Sequence, residues 1–237
     1  MKIAVVIPAL EESKQIAGAV QNAQAASDSS RSPGPSGVGW TEIEVVVVDG
    51  GSLDETVSLA RKAGARVISS DSGRSRQLEA GWRAVSADIV LFLHADTRLE
   101  AGWSSAIAGA MKEPGVVGGA FQLCFGDPGF GFRWIEFFVR IRVALFGLPY
   151  GDQAIFIRRP VLEAMGGLRP VPIMEDLDLV QGMKKYGRMQ SLPLKATTSA
   201  RRYADQGLLR TVLLHGLALL AWRFGVDRER IARWSRR

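Results

Sequence analysis

Along the first hundred positions, apolar runs rich in β-branched residues alternate with stretches of helical spacing. Lys2 to Ile7, Glu44 to Val48, Arg66 to Ser69 and Ile89 to Leu93 are short and mainly apolar, as expected of strands buried on both faces of a sheet. Helices are predicted over Ser13 to Ala26, up to Ala63, and from Arg74 onward. Four strands alternating with three helices predict an α/β fold with a right-handed, largely parallel central sheet flanked by helices. The alternation then loosens. Helices are expected at Gly102 to Met111, Phe130 to Phe146 and from Pro172 to about Tyr186, and strands at Gly115 to Phe125, Ala154 to Ile157 and Met189 to Leu192. Residues 27–40, dominated by Ser, Gly and Pro, read as a flexible loop insertion with no assigned chemistry.

Polar residues gather where the predicted strands end, which is the ligand-binding edge of open α/β sheets. The first strand runs into Pro8-Ala-Leu-Glu-Glu12, where Glu12 either faces a ligand or favours the helix N-terminus by its charge. The second empties into Asp49-Gly-Gly51-Ser-Leu-Asp54. Its glycines permit close backbone approach, and Asp49 suits ribose hydroxyls or a base N–H; a plain β-to-α turn explains it equally. No Gly-x-Gly-x-x-Gly follows the first strand, so the dinucleotide fingerprint is absent. Arg74, Arg76 and Gln77 open a helix whose N-terminus favours anions, so Arg74 is either a phosphate contact or a solvated arginine. The strand ending in His94-Ala-Asp96 offers a carboxylate that suits Mg²⁺ or Mn²⁺, or else caps the next helix. Glu175 and Asp176 fall in the first turn of their helix; one of them can act as a general base, or both simply complement the helix dipole.

Two later stretches are strongly apolar. Phe130 to Phe146 sets Phe130, Trp134, Phe137, Phe138, Ile141 and Leu145 on one broad face, fit for core packing, an acceptor groove or a membrane. Leu208 to Val226 is apolar, but Arg210 and Arg223 leave too short an uncharged run for a spanning helix, which needs roughly 20 residues. A helix lying in a membrane interface, followed by a basic tail, is the expectation. Charge sharpens this. Residues 201–237 hold nine arginines, no lysine and three acids, a balance of +6 equal to that of the whole chain. Cys124 is the sole cysteine, which excludes an internal disulfide framework or a cysteine zinc cluster and fits a reducing compartment. The early Pro8 and Glu11-Glu12 do not suit a signal peptide. A cytoplasmic protein, peripheral on the inner face of the plasma membrane, is expected.

Taken together, Val-Ile-Pro-Ala-Leu-x-Glu12, Val-Val-Asp49-Gly-Gly-Ser-x-Asp54, Phe-Leu-His-Ala-Asp96 and Met-Glu175-Asp176 resemble the family 2 glycosyltransferases of the GT-A fold, over essentially the whole chain. Gly-Arg-Ser-Arg-Gln77, Leu-Pro-Tyr-Gly-Asp-Gln153 and Thr-Thr-Ser-Ala-Arg-Arg-Tyr203 are similar to a bacterial subgroup that includes glycosyltransferases of carotenoid acids. The resemblance implies a transferase domain over 1–203 with a C-terminal amphipathic basic segment over 204–237. It implies inverting transfer from a nucleotide-diphosphate sugar, usually a uridine one, with a divalent cation, Mg²⁺ or Mn²⁺. Asp49, with Pro8, Gly51 and Glu12 nearby, would bind the nucleoside, and Arg74 the nucleotide or diphosphate. Asp96 would hold the metal, as the second acid of the family's Asp-x-Asp motif. Asp176 would be the base, with Glu175 beside it. Asp152 and Gln153 would border the acceptor, an alcohol or carboxylate that is lipid-like or a carotenoid, and Arg201 and Arg202 occupy a basic motif that often faces phosphate. Two positions depart from the pattern: His94 replaces the first acid of Asp-x-Asp, and Glu11 stands where the family commonly has Asn.

Three other readings compete. A degenerate, non-catalytic nucleotide- or lipid-binding module would not need Asp49, Asp96 and Asp176 together. A sugar-phosphate nucleotidyltransferase would carry a glycine-rich, arginine-containing loop after the first strand, and none is present. A nucleic-acid binder using the basic tail lacks a supporting motif, so no nucleic-acid partner is expected.

Overall fold

The computed structural model describes residues 1–29, 41–126, 129–200 and 207–235. Eight strands form one sheet: β1 (Lys2–Ala9), β2 (Glu42–Asp49), β3 (Arg66–Ser69), β4 (Ile89–Phe92), β5 (Thr97–Leu99), β6 (Val116–Phe125), β7 (Phe156–Arg158) and β8 (Arg188–Thr198). Their order is β3-β2-β1-β4-β7-β6-β8-β5. The first four strands are mutually parallel, as is the β6–β8 pair, while β7 and β5 run against their neighbours.

The helices are α1 (Ile16–Ser29), α2 (Thr56–Lys62), α3 (Arg74–Arg83), α4 (Trp103–Ala110), α5 (Phe130–Phe146), α6 (Arg159–Ala164), α7 (Glu175–Met183), α8 (Leu208–Arg223) and α9 (Arg228–Ser235). Successive side chains of β1 point to opposite faces, so one strand builds two cores. Ile3, Val5 and Ile7 join Ile16, Val20, Trp103 and Ile107 on one side. Ala4 and Val6 join Leu78, Trp82, Val180 and Met183 on the other. Continuous apolar runs in β1 and β2 are therefore what a doubly covered sheet needs.

The parallel first half agrees with the sequence expectation, and α5 spans the residues assigned to it. Elsewhere the boundaries move. α1 continues through Ser29, into the segment read as loop; residues 30–40 lie outside the described set. β5, only three residues long, was too short to show a period. β8 is eleven residues instead of four because Pro193 falls in an irregularity, where Ala120 pairs with Ser191 but Gln122 with Lys195. Proline is tolerated in a sheet at such a bulge. The basic tail is helical as α9, capped by Asp227, whose carboxylate accepts the Arg230 N–H at 3.1 Å. Among the described residues no helix is long and apolar enough to cross a membrane.

The junction of the two halves depends on missing side chains. A Cβ on Gly118 would stand 2.2 Å from the carbonyl oxygen of Phe156, and one on Gly119 would stand 2.0 Å from that of Gln190. Both obstacles are backbone, so β6 can sit between β7 and β8 only with glycine there.

Candidate active site at the carboxyl edge of the sheet

Chain order reverses direction across the sheet at β1, with β2 and β3 on one side and β4 on the other. Crevices at such switch points, beyond the carboxyl ends of parallel strands, are where ligands bind. Pro8 lies at the end of β1, paired with Val48, and Asp49 closes β2. The buried carboxylate of Asp49 accepts the Gly51 N–H at 3.0 Å and the Ser52 N–H at 3.2 Å, which fixes the turn. Gly51 adopts a φ of 96° with open space around its α-carbon, so the glycine is required by conformation and not by crowding. Gln77, read from sequence as part of an anion-facing helix start, instead lies buried beneath the edge. Its amide nitrogen donates to the carbonyls of Ala9 and Val48, both at 2.8 Å, tying β1 to β2.

The loops after β1 and β2 are joined residue by residue. Glu11 N–H donates to Ser52 Oγ at 3.0 Å, Glu12 N–H to Thr56 Oγ1 at 2.8 Å, and Ser13 N–H to Asp54 Oδ2 at 3.1 Å. The Glu11 carboxylate accepts the Leu53 N–H in return. Asp54 also accepts the Thr56 hydroxyl, and these bonds hold its carboxyl down to about 2. Asp54 thus links the two loops.

On the other side of β1, the β4 strand delivers His94 and Asp96, both half-buried. Asp96 Oδ1 faces the hydroxyls of Thr97 and Thr198, each at 3.4 Å, long for a hydroxyl on a carboxylate. Its lone pairs are thus only weakly engaged. Among the described residues no three His, Cys, Asp or Glu side chains gather to hold a metal. One carboxylate with spare lone pairs still fits Mg²⁺ or Mn²⁺, since Mg²⁺ typically takes one or two carboxylates and completes its shell with phosphate and water. Burial lowers the pKa of the neighbouring Arg98, while the charge of Asp96 opposes that shift.

The third part comes from α7 and the 3₁₀ turn Gly151–Gln153. Gly151 N–H donates to Asp176 Oδ2 at 2.8 Å. A Cβ on Gly151 would stand 2.9 Å from His94 Nε2 and 3.6 Å from Asp176 Oδ2. One glycine therefore sits between the turn after β4 and the acid on α7. Asp176 is half-buried; Glu175 is buried, and its carboxylate pairs with Arg74 at 3.6 Å. Burial raises the Glu175 pKa, against the pull of Arg74 and with the repulsion of Asp176. Arg74, His94, Gly151, Glu175 and Asp176 line a shared cleft.

Asp152 is the most perturbed group of the turn. Its Oδ1 is sealed from solvent with no hydrogen-bond partner among the described residues, and burial pushes its carboxyl up to about 6. Arg142 and Arg74 oppose that shift, while Asp176 and Asp96 add to it. Gln153 is buried below, donating to the Phe121 carbonyl at 2.9 Å and accepting from Arg142 and the Tyr150 N–H. The Arg142 guanidinium lies 3.4 Å over the Tyr150 ring. Sequence reasoning passed over Arg142 and Tyr150; the arginine is hidden among the aromatics of α5, and the only cue was its nearness to Tyr-Gly-Asp-Gln153. Arg201 and Arg202 lie outside the described residues.

Among the described residues, three non-glycine residues have positive φ: Glu11 at 55°, Ala154 at 49° and Met174 at 65°. They fall in the loop after β1, directly after Gln153, and directly before Glu175. Backbone strain of this kind clusters at ligand sites.

Comparison with known proteins agrees with this arrangement. The sequence profile described as Glycosyl transferase family 2 matches residues 4–166. No curated protein sequence matches the chain. The fold is similar to that of glucosyl-3-phosphoglycerate synthase from Mycobacterium tuberculosis in complex with Mg²⁺ and uridine diphosphate, with TM-score 0.63 and 20% identity, over 95% of this chain and 80% of that one. It is equally similar, at TM-score 0.63 and 21% identity, to the same enzyme with Mn²⁺, UDP-glucose and phosphoglyceric acid, over the same shares. A further mycobacterial protein matches with TM-score 0.60 and 22% identity, over 92% of this chain and 74% of that one. At these identities the likeness establishes the fold, which is of the GT-A kind.

Proposed function

The chain belongs to glycosyl transferase family 2, and from that premise we propose that it moves a sugar from a uridine-diphosphate donor to an acceptor hydroxyl or carboxylate, with inversion. The observation that carries this reading is Gly151, whose N–H donates to Asp176 while its α-carbon abuts His94. The base and the metal-motif turn thus share one neighbour, which brings them to the same end of the sheet. Pro8, Glu12, Asp49 and Gly51 form the nucleoside side. Arg74, steadied by buried Glu175, faces the diphosphate. Asp96 is the residue that would hold Mg²⁺ or Mn²⁺, an ion that offsets charge growing on the departing diphosphate. Asp176 takes the proton of the attacking hydroxyl, where a carboxylate acceptor would need no such step. Asp152 borders the acceptor, with Gln153 supporting the turn beneath it. The structures of glucosyl-3-phosphoglycerate synthase hold Mn²⁺, UDP-glucose and phosphoglyceric acid, which supports a uridine donor and a divalent cation here.

The acceptor we assign is apolar-tailed, a lipid or carotenoid presented at an anionic membrane. Two exposed apolar stripes support this. On α5, Phe130 is 80% and Leu145 71% exposed, with Trp134, Phe137, Phe138 and Ile141 between them, and α5 leads directly into the Gly151 turn. On α8, Leu213, Leu217, Leu220 and Phe224 share one face and are exposed, while Thr211 and Ala218 are buried. Arg210 and Arg223 flank that stripe, as in interfacial helices. Sedimentation with anionic vesicles at low salt tests the idea: replacing Leu213, Leu217 and Phe224 by Ser should release the folded protein, and unchanged sedimentation rejects the membrane reading.

The donor site is tested by calorimetric titration with UDP, GDP and dTDP, each with Mn²⁺, Mg²⁺ or chelator. Metal-dependent binding of UDP that disappears in Asp96→Ala is expected. Asp176→Asn should keep UDP affinity while lowering turnover roughly 10²–10⁴-fold. Binding of no nucleotide under any condition, or unchanged turnover in Asp176→Asn, would reject the assignment.

A further inference from the structure

The first turn of α7 has no side-chain cap; its N-cap is Met174, whose φ of 65° is itself strained. Its three acids are instead held from outside, each by a different element. Glu175 pairs with Arg74 of α3, and Asp176 accepts the Gly151 N–H. The third, Asp178, is gripped by Arg228 at the start of α9. Nη1 and Nη2 of Arg228 donate to Asp178 Oδ2 and Oδ1 at 2.6 and 2.7 Å, a two-pronged pairing with its side chains only about a quarter exposed (25% and 24%). Such forks fix direction as well as distance. Asp178 lies three residues after Glu175, so the two share a helix face, and the charge of Arg228 is felt at Glu175 as well.

α9 has anchors besides this pair. Ile231 is fully buried and Ala232 nearly so, and the helix has its own cap in Asp227. Arg228 is thus presented to α7 by an element with buried anchors and a cap of its own. We propose that Arg228 is a positioning residue for sugar transfer: gripping Asp178, it holds the first turn of α7, and so the aim of Asp176, in register with the Gly151 turn. This rests on the transferase reading above. It makes the C-terminal helix pair part of the catalytic apparatus, although the family match ends at residue 166.

The test uses the full chain with UDP-glucose and Mn²⁺, reading UDP release, alongside hydrogen exchange across residues 174–183. Arg228→Gln and Asp178→Asn should each lower kcat roughly tenfold, as small misplacements of a catalytic group do. KM for UDP-glucose should stay within about twofold, because donor contacts are untouched. Exchange in the first turn of α7 should rise, and the swapped pair Arg228→Asp with Asp178→Arg should recover most of the kcat. Arg228→Lys, which keeps the charge and loses the fork, should fall between; it also serves if the glutamine variant does not fold. A folded Arg228→Gln protein with kcat within about twofold of wild type and unchanged exchange overturns the role of the fork alone. Wild-type protein that neither binds nor releases UDP overturns the transferase reading, and with it the catalytic role of Arg228.

Discussion

On the β1–β2 side of the edge, the polar groups meet their partners within the protein. Asp49 accepts two backbone N–H groups, Asp54 joins two loops, and Gln77 spans two strand ends. Across β4, the turn at Gly151–Gln153 and the first turn of α7 are built differently. Asp152 keeps an enclosed oxygen without a hydrogen bond among the described residues, its carboxyl is pushed up to about 6, and buried Glu175 pairs with Arg74. An unmet buried carboxylate is costly, and persists where the surrounding structure or a ligand compensates. On the proposed reading, the first side is a finished surface for a constant ligand, the nucleotide. On the same reading, the second is where the reacting group and the acceptor meet, and its unmet groups are left for them.

The sharpest break in that comparison is at the junction. Gly118→Ala forces a methyl group to 2.2 Å from the Phe156 carbonyl, and strand backbone cannot yield locally. A loss of about 3 kcal/mol is expected, with the β6–β8 side loosening first. Chemical denaturation gives the magnitude, and exchange resolved by strand gives the order. Gln77→Leu should cost less, about 2 kcal/mol, since the Val48 carbonyl loses its side-chain partner while the Ala9 carbonyl keeps the Gly50 N–H. It should also weaken UDP binding, because the strand ends that carry Pro8 and Asp49 are no longer tied. A Gln77→Leu protein with unchanged UDP affinity would show that the nucleotide side does not depend on this internal bonding.

The same contrast governs what the sequence discloses. The nucleotide side was legible because it obeys local rules: apolar runs, glycine turns and acids at strand ends appear in order, and the family motifs fall on them. Even there, Gln77 reads only as part of a helix start that favours anions, because its two acceptors are 29 and 68 residues away. The acceptor side assembles Gly151, Asp176 and His94 from three distant segments, and Arg142 with Asp152 across a helix and a turn. β8 was cut short because Pro193 masked its alternation. Arg228 read as one more charge of a basic tail, since nothing local marks its partner Asp178, 50 residues upstream. Long-range pairings leave no period in the sequence.

Protonation separates the two sides by sign. The raised Asp152 carboxyl binds its proton more tightly in the folded state, so the native protein is penalised as pH rises from about 4 to about 6, and the penalty then stays constant. Asp152→Asn should therefore raise the thermal midpoint by a few degrees at pH 7–8 and lose that advantage below about pH 4. The depressed Asp54 carboxyl acts in the opposite direction: its contribution is complete above about pH 4 and is lost only as pH falls through about 2. Midpoints of wild type and Asp152→Asn that run parallel from pH 4 to 8 would show that the buried oxygen of Asp152 is compensated already.

The smallest effect is expected at Glu11, and it bears on why that position departs from its family's usual residue. With a φ of 55°, the site demands the left-handed region, which Asn tolerates better than Glu. Here the longer side chain returns something that Asn, one methylene shorter, does not reach as well: its carboxylate accepts the Leu53 N–H at 2.6 Å, closing the seam between the two loops. Relief of strain and loss of that exposed bond are each about 0.5–1 kcal/mol and opposite in sign. Glu11→Asn should thus fall within about 0.5 kcal/mol of wild type in stability and leave UDP binding intact. Glu11→Ala, which meets the same backbone demand with no side-chain bond, should be the worst of the three. If Asn proves clearly stabilising, the Leu53 bond is negligible and the nucleotide side is less tightly closed than its hydrogen bonds suggest; if it weakens UDP binding, Glu11 touches the ligand directly and the seam is part of the site itself.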